Sequence, residues 1–222
     1  MRPHIAPRGG KPSRSAALDQ YRRRAAGYDR ELLLFEPIRT EAIAALDVHR
    51  GDVVLDVGCG TGLSFEMLHD RIGKGGRIVG IEQCPEMLAR ARARVDAAHW
   101  TNVELVGAPA AIARWSGKAD AALFHFTHDV LREPAAIANV LSHLQPGAHV
   151  VASGLQWAPP WAWPTNGFVM LAAMYSVTSL EGLGKPWDLL ARHLSDVEVV
   201  TTAFGGIYIA RGRYAPGRSV AH

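Results

Sequence analysis

The run Val53-Val54-Leu55-Asp56-Val57-Gly58-Cys59-Gly60-Thr61-Gly62 restricts the fold more than any other feature of this chain. A short, continuous apolar stretch of this kind reads as a buried strand. It runs straight into three alternating glycines and then into a helical pattern. Glycine is needed where a backbone turns sharply and must approach a ligand with no Cβ in the way. A generic turn explains one or two of these glycines. Three of them, after a buried strand that carries an acid near its end, point to a ligand site.

From this run onward strand and helix patterns alternate. Leu63 to Ile72 is helical and is stopped by Gly73, Gly75 and Gly76. Arg77 to Ile81 reads as a second strand, and Pro85 to Ala97 as a helix with proline in its first turn. Val103 to Val106 is a third strand, followed by a short helix from Ala110 to Trp115. Ala121 to Phe126 is the fourth strand, Pro134 to Leu144 a helix ended by Gln145-Pro146-Gly147, and His149 to Ser153 the fifth strand. Upstream, Ala16 to Ala26 and Glu31 to Leu46 suit helices separated by Gly27-Tyr28-Asp29. Strands separated by helices imply right-handed crossovers and a parallel sheet covered on both faces. Val197 to Thr202 and Ile207 to Arg211 stand at hairpin spacing across Ala203-Phe204-Gly205-Gly206. The expected fold is α/β, a Rossmann-like doubly wound sheet of five parallel strands closed by a C-terminal antiparallel hairpin, with helices on both faces.

A length of 222 residues fits a single domain over 16–222, preceded by a flexible basic tail, 1–15, and carrying an insertion at about 155–194. Hydrophobic residues at 48% and charged residues at 20% exclude the disordered and fibrous classes. No apolar run reaches the roughly 18 residues that a spanning helix needs, and the basic N-terminus lacks the apolar core of a secretory signal. Cys59 and Cys84 fit no metal-ligand spacing, so neither a disulfide framework nor a metal site is expected, and the expected setting is cytoplasmic. Arg2, Arg8, Lys11, Arg14, Arg22, Arg23 and Arg24 crowd the first segment against Asp19. Such a leader can touch an anionic membrane or nucleic acid, although a solvated tail and helix face explain the same residues.

Glu82 closes the second strand, where a carboxylate can accept both ribose hydroxyls of an adenosine. A dinucleotide fingerprint needs its third glycine at the position of Leu63. Here it falls one residue earlier, at Gly62, a spacing that suits a cofactor with no pyrophosphate to cradle. Asp56 to Gly62, together with Gly80-Ile81-Glu82-Gln83-Cys84-Pro85-Glu86-Met87-Leu88, resembles the first two motifs of the class I S-adenosylmethionine-dependent methyltransferases. The resemblance covers about residues 20 to 155 and implies S-adenosyl-L-methionine as cofactor. It implies that Gly58 and Gly60 line the methionine moiety in a loop completed by Gly62, and that Asp56 orders this loop and faces the cofactor's amino group. Glu82 would hold the ribose, and Gln83 and Met87 would flank the adenine. Tyr28 matches a family tyrosine that reaches over the methionine carboxylate, and a half-buried packing role is the alternative. The family's usual acid after the third strand is replaced by Pro109, and the Ala110 amide can still donate to the adenine ring. A fainter similarity to phospholipid and aminolipid N-methyltransferases rests on widely shared motifs.

Ligands of such sheets bind beyond the carboxyl ends of the strands, so Phe124 to Asp129 should face the methyl acceptor. His128 with Asp129 reads as an oriented base, and His125 as a second polar contact. In the plainer reading Thr127 or Asp129 caps the next helix and the histidines pack. Trp157, Trp161 and Trp163 are expected to line a pocket for a small apolar, aromatic or amine-bearing acceptor. A packed lid, an oligomer interface or a membrane-surface contact would use the same residues. No Asn-Pro-Pro-aromatic step follows the fourth strand, so the resemblance does not point to nucleic-acid bases. The expected activity is methyl transfer to a small molecule. The alternatives are another nucleotide-binding α/β enzyme, such as a dehydrogenase, and a non-catalytic adenosylmethionine-binding protein.

Overall fold

The computed structural model of the chain describes residues 35–176 and 182–217. The basic tail, the helix expected over Ala16 to Ala26, and Tyr28 lie outside the described residues. Within them the elements run α1 (Glu36–Ala45), β1 (Val53–Val57), α2 (Phe65–Ile72), β2 (Arg77–Ile81), α3 (Pro85–Ala97), β3 (Val103–Val106), β4 (Ala119–His125), α4 (His128–Leu131), α5 (Pro134–Ser142), β5 (Leu144–Leu155), α6 (Trp163–Ser176), α7 (Asp188–Ala191), β6 (Leu194–Thr202) and β7 (Ile207–Tyr214).

The strands form one sheet in the order β3-β2-β1-β4-β5-β7-β6. Neighbours from β3 to β5 are parallel, while β7 runs antiparallel to both β5 and β6. The expected five parallel strands closed by a hairpin are therefore present. Successive side chains of a strand point to opposite faces, and the sheet sorts its apolar residues accordingly. Val54, Ile78, Ala121, Leu123 and Val151 belong to a core with Ala42, Ile43 and Leu46 of α1 and Phe65, Leu68 and Ile72 of α2. Leu55, Val57, Val79, Ala122, Phe124 and Val150 belong to a second core with Ile137, Val140 and Leu141 of α5. Each fully buried Leu, Ile or Phe in these layers contributes about 1.5–3 kcal/mol relative to exposure.

Three expectations change. Ala110 to Ile112 forms a turn and Ala113 to Trp115 is irregular, in place of the expected helix. Carbonyls of this segment are used elsewhere: Asn139 Nδ2 donates to Ala110 O at 2.8 Å and to Ala113 O at 3.0 Å, which takes these acceptors from the intrahelical ladder. Helix α5 ends at Ser142, because Leu144 already pairs with Ala119 in the sheet, so Gln145-Pro146-Gly147 lies inside β5. Helix α2 begins at Phe65 rather than Leu63, since the turn through Gly62, at φ +79°, must be completed first. The insertion is the site of α6 and α7.

Phe65 is fully buried and sits where Cβ atoms added to Gly62 and Gly80 would fall, at 2.6 and 2.8 Å from its ring. It ties the glycine loop to β2. Phe65→Ala should cost about 3–5 kcal/mol of stability, read as a lowered urea midpoint.

Candidate active site

The carboxyl ends of the parallel strands carry the polar residues. Along β1, Asp56 follows Val54 on the face covered by α1, and His125 follows Leu123 on that face of β4. Asp56 is cross-paired with Leu123, and His125 with Ser153 of β5. Helix α1 lies over this end of the sheet and buries Arg39 along with Ile38, Ala42 and Ile43, leaving the arginine 2% exposed. Arg39, Asp56, residues of the loop from Gly58 to Ser64, His125 and Phe126 line an open cleft.

The loop is stitched to β2. Amides of Gly58 and Cys59 both donate to Ile81 O, at 2.8 and 3.0 Å. Glu82 Oε2 accepts from the Gly60 amide at 3.1 Å, and Oε1 from the Cys84 amide at 2.7 Å. Burial pushes the Glu82 carboxyl above its ordinary range, and the hydrogen bonds from backbone amides oppose the shift. A carboxylate has about four lone-pair sites, so two amides leave capacity for further donors. Gly58 adopts φ +72°, and a Cβ there would stand 2.4 Å from Thr127 Cγ2. Only glycine fits between this loop and the segment after β4.

Three polar atoms near this point are shielded from solvent and have no hydrogen-bond partner among the described residues: Asp56 Oδ2, His125 Nε2 and Thr127 Oγ1. Buried polar groups are nearly always satisfied, so such a group of orphans marks a place where a ligand completes the bonding. The electrostatics agree. Burial raises the Asp56 carboxyl to about 7, Arg39 opposing and Glu82 adding to the rise. Burial, and then the charge of Arg39, lower the His125 imidazole to about 3, so this ring is neutral in the working range. Phe126 holds φ +55°, a conformation costly for a bulky residue, and packs against Phe35 with ring centroids 4.9 Å apart.

The sequence-derived candidates divide. Asp56, Gly58, Gly60 and His125 meet in the cleft, with Glu82 on its loop, and Gly62 closes the turn. Gln83 and Met87 stand at the start of α3, Met87 buried, and Pro109 and Ala110 follow β3. His128 and Asp129 belong to α4 and are not among the residues lining the cleft; His128 is buried. Thr127 precedes α4 without a side-chain cap. Trp157 is half-buried against the α1-side core, while Trp161 and Trp163 are 72% and 75% exposed, away from the cleft. Two residues were missed, Arg39 and Ser153. Arg39 carried a readable signal, a charge on the stripe set by Ile38, Ala42 and Ile43. Ser153 carried none beyond its parity with Val151.

Comparison with known proteins agrees with this geometry. Residues 54–147 match a family described as a methyltransferase domain. Protein-L-isoaspartate O-methyltransferase 2 of Archaeoglobus fulgidus is 41% identical over 61 residues, 28% of each chain. The chain thus spans under a third of the length of the first curated relatives it matches. Trans-aconitate 2-methyltransferase of an Azoarcus species is 27% identical over 194 residues, covering 79% of this chain and 72% of the relative. Among solved structures, the N-methyltransferase NodS of Bradyrhizobium japonicum, in complex with S-adenosyl-L-homocysteine, superposes with a TM-score of 0.67 at 18% identity. That superposition covers 89% of this chain and 98% of NodS, a likeness of fold.

Asp56 generates a prediction for the free protein. Its folded pKa, about 7, exceeds the ordinary 3.8, so the native state holds an extra proton between these values. Stability from this group is present below the lower value and is lost as pH rises through the window. Asp56→Asn should therefore melt at a higher temperature than the parent at pH 8 and close to it at pH 4, as read by thermal scans.

Proposed function

We propose that the chain is a class I S-adenosylmethionine-dependent methyltransferase, transferring a methyl group from S-adenosyl-L-methionine to a small organic acceptor by in-line displacement. The observation that carries this reading is the set of orphaned atoms, Asp56 Oδ2, His125 Nε2 and Thr127 Oγ1, gathered around a glycine that admits no side chain. The bound cofactor supplies a methyl group already activated on a sulfonium. The protein's task is then alignment and exclusion of water.

The residues fit that cofactor. Glu82 has lone pairs left for ribose hydroxyls, and Asp56, whose burial disfavours its charge, gains a partner in the cofactor's ammonium. The buried Arg39 guanidinium suits the cofactor's carboxylate. Gln83, Met87, Pro109 and Ala110 would border the adenine. His125 rather than His128 would meet the acceptor. Trp161 and Trp163 are exposed, and the name of the isoaspartate relative favours oxygen as the nucleophile. A small-molecule partner and a cytoplasmic setting complete the reading. Among the described residues no helix is long and apolar enough to cross a membrane.

S-adenosylhomocysteine should bind stoichiometrically at micromolar level, on the order of −8 kcal/mol, without competition from NAD. Glu82→Ala should weaken it by about 1–3 kcal/mol, with Glu82→Gln between. Isothermal titration checks both, and NAD binding in place of S-adenosylhomocysteine would overturn the reading.

A further inference from the structure

We propose that His125 is a fixed hydrogen-bond donor to the methyl acceptor, its proton locked on Nε2 by Ser153, and that the nucleophile it receives is a carboxylate oxygen. This rests on the methyltransferase reading above and adds the chemical class of its substrate.

The lock follows from one contact. His125 Nδ1 lies 2.7 Å from Ser153 Oγ, the two residues being cross-strand partners on β4 and β5. Ser153 is fully buried, and its hydroxyl makes no other hydrogen bond among the described residues. Were the imidazole proton on Nδ1, the ring would donate to Oγ and the serine's own proton would be stranded. A stranded buried donor is costly. With the serine donating, Nδ1 accepts and the single proton of the neutral ring must sit on Nε2. That nitrogen is the one shielded from solvent and lacking a partner, on a ring that helps line the cleft. Burial and the Arg39 charge keep the ring from taking a second proton at neutral pH.

A histidine in this state has no lone pair to offer: one is bonded to Ser153 and the other nitrogen holds its proton. It orients an acceptor and removes nothing from it. Among the described residues lining the cleft, the other titratable groups do not replace it as a base. Arg39 is a cation, the Cys59 thiol is held protonated by burial, and on the methyltransferase reading Asp56 would pair with the cofactor's ammonium. A nucleophile that arrives without a proton to lose suits this lining best. Amines arrive as ammonium ions at neutral pH and phenols arrive protonated, whereas a carboxylate is already an anion. Both Arg39 and the Nε2–H favour that charge. In the step itself a carboxylate lone pair forms the O–C bond as the C–S bond of the sulfonium breaks. The electron pair leaves on sulfur, the products are a methyl ester and a neutral thioether, and no proton is released.

The test uses the full chain with ¹⁵N-labelled histidine, loaded with S-adenosylhomocysteine after calorimetry has established binding. Long-range ¹H–¹⁵N correlation spectra report the tautomer directly, and His125→Gln identifies the resonance by its loss. The expected result is an Nε2–H tautomer that persists across neutral pH in the parent and gives way to a tautomer mixture in Ser153→Ala. Benzoate, added as a minimal carboxylate, should shift the Nε2 resonance, and benzylamine should not. An Nδ1–H tautomer in the parent overturns the proposal, as does a shift with benzylamine alone or no shift at saturating benzoate. If S-adenosylhomocysteine fails to bind, the methyltransferase reading falls and this inference with it. If it binds and the tautomer is Nδ1–H, only this inference falls.

Discussion

The Glu82 carboxylate organises the ligand end of the sheet. It takes the Gly60 amide on one oxygen and the Cys84 amide on the other, so a single side chain fixes the loop after β1 and the first turn of α3. Ile81 O, one residue earlier, accepts two more loop amides. A glycine-rich loop has much conformational freedom to lose on folding. Four amide hydrogen bonds, two to the Glu82 carboxyl and two to Ile81 O, offset that loss. With the loop held, Gly58 is carried against Thr127 and the cleft acquires a floor.

Holding the loop requires several polar groups to leave water, and Arg39 makes that tolerable. A buried cation among carboxylates is stable only when paired. Arg39 bonds Glu36 on its own helix, lowers the Asp56 pKa against the pull of burial, and reinforces the neutrality of His125. Asp56 nonetheless stays at about 7, well above an ordinary carboxyl. The site is therefore under-compensated as it stands, and a ligand carrying an ammonium and several hydroxyl donors would relieve it. Strain points the same way. The φ of +55° at Phe126 is tolerated because its amide is secured to Ser153 O at 2.8 Å and its ring to Phe35.

Much of this was legible in the sequence, for local reasons. β1, β2, β3 and α3 match their expected limits because each is a short apolar or proline-started run bounded by glycine or a turn. The glycine loop and Glu82 were legible because backbone geometry and spacing alone demand those residue types. Failures came where a distant partner decided the outcome. Ala110 to Trp115 has good helix formers, yet Asn139, far along the chain, takes its carbonyls. Pro146 and Gly147 look like a helix stop and a loop, yet β5 runs through them as an irregularity between the pairs Ala119 with Leu144 and Ala121 with His149. The tryptophans of the insertion suited a pocket, a lid, an interface or a membrane contact equally, because composition carries no direction. Trp161 and Trp163 face water, while Trp187 packs on Tyr208 with ring centroids 4.6 Å apart.

The choice between His125 and His128 turns on strand parity, which motif spacing does not carry. His128 has an acid beside it in sequence, and that adjacency reads as a base with its orienter. Adjacent residues at the start of a helix do not face one another, however, and α4 carries His128 into a buried position outside the cleft. His125 is the last residue of β4, and alternation from Leu123 fixes which face of the sheet it occupies. The same alternation brings Asp56 from Val54 and Ser153 from Val151 to that face, at the ends of neighbouring strands. Three polar residues two positions beyond three core residues thus form a row that α1 covers with Arg39. The apolar residues that build the core on this face also set the register of the polar ones. A one-residue slip of β4 would reverse its faces, sending His125 to the α5 side and Phe124 into the cleft. Packing of the core and placement of His125 at the cleft are consequences of one register.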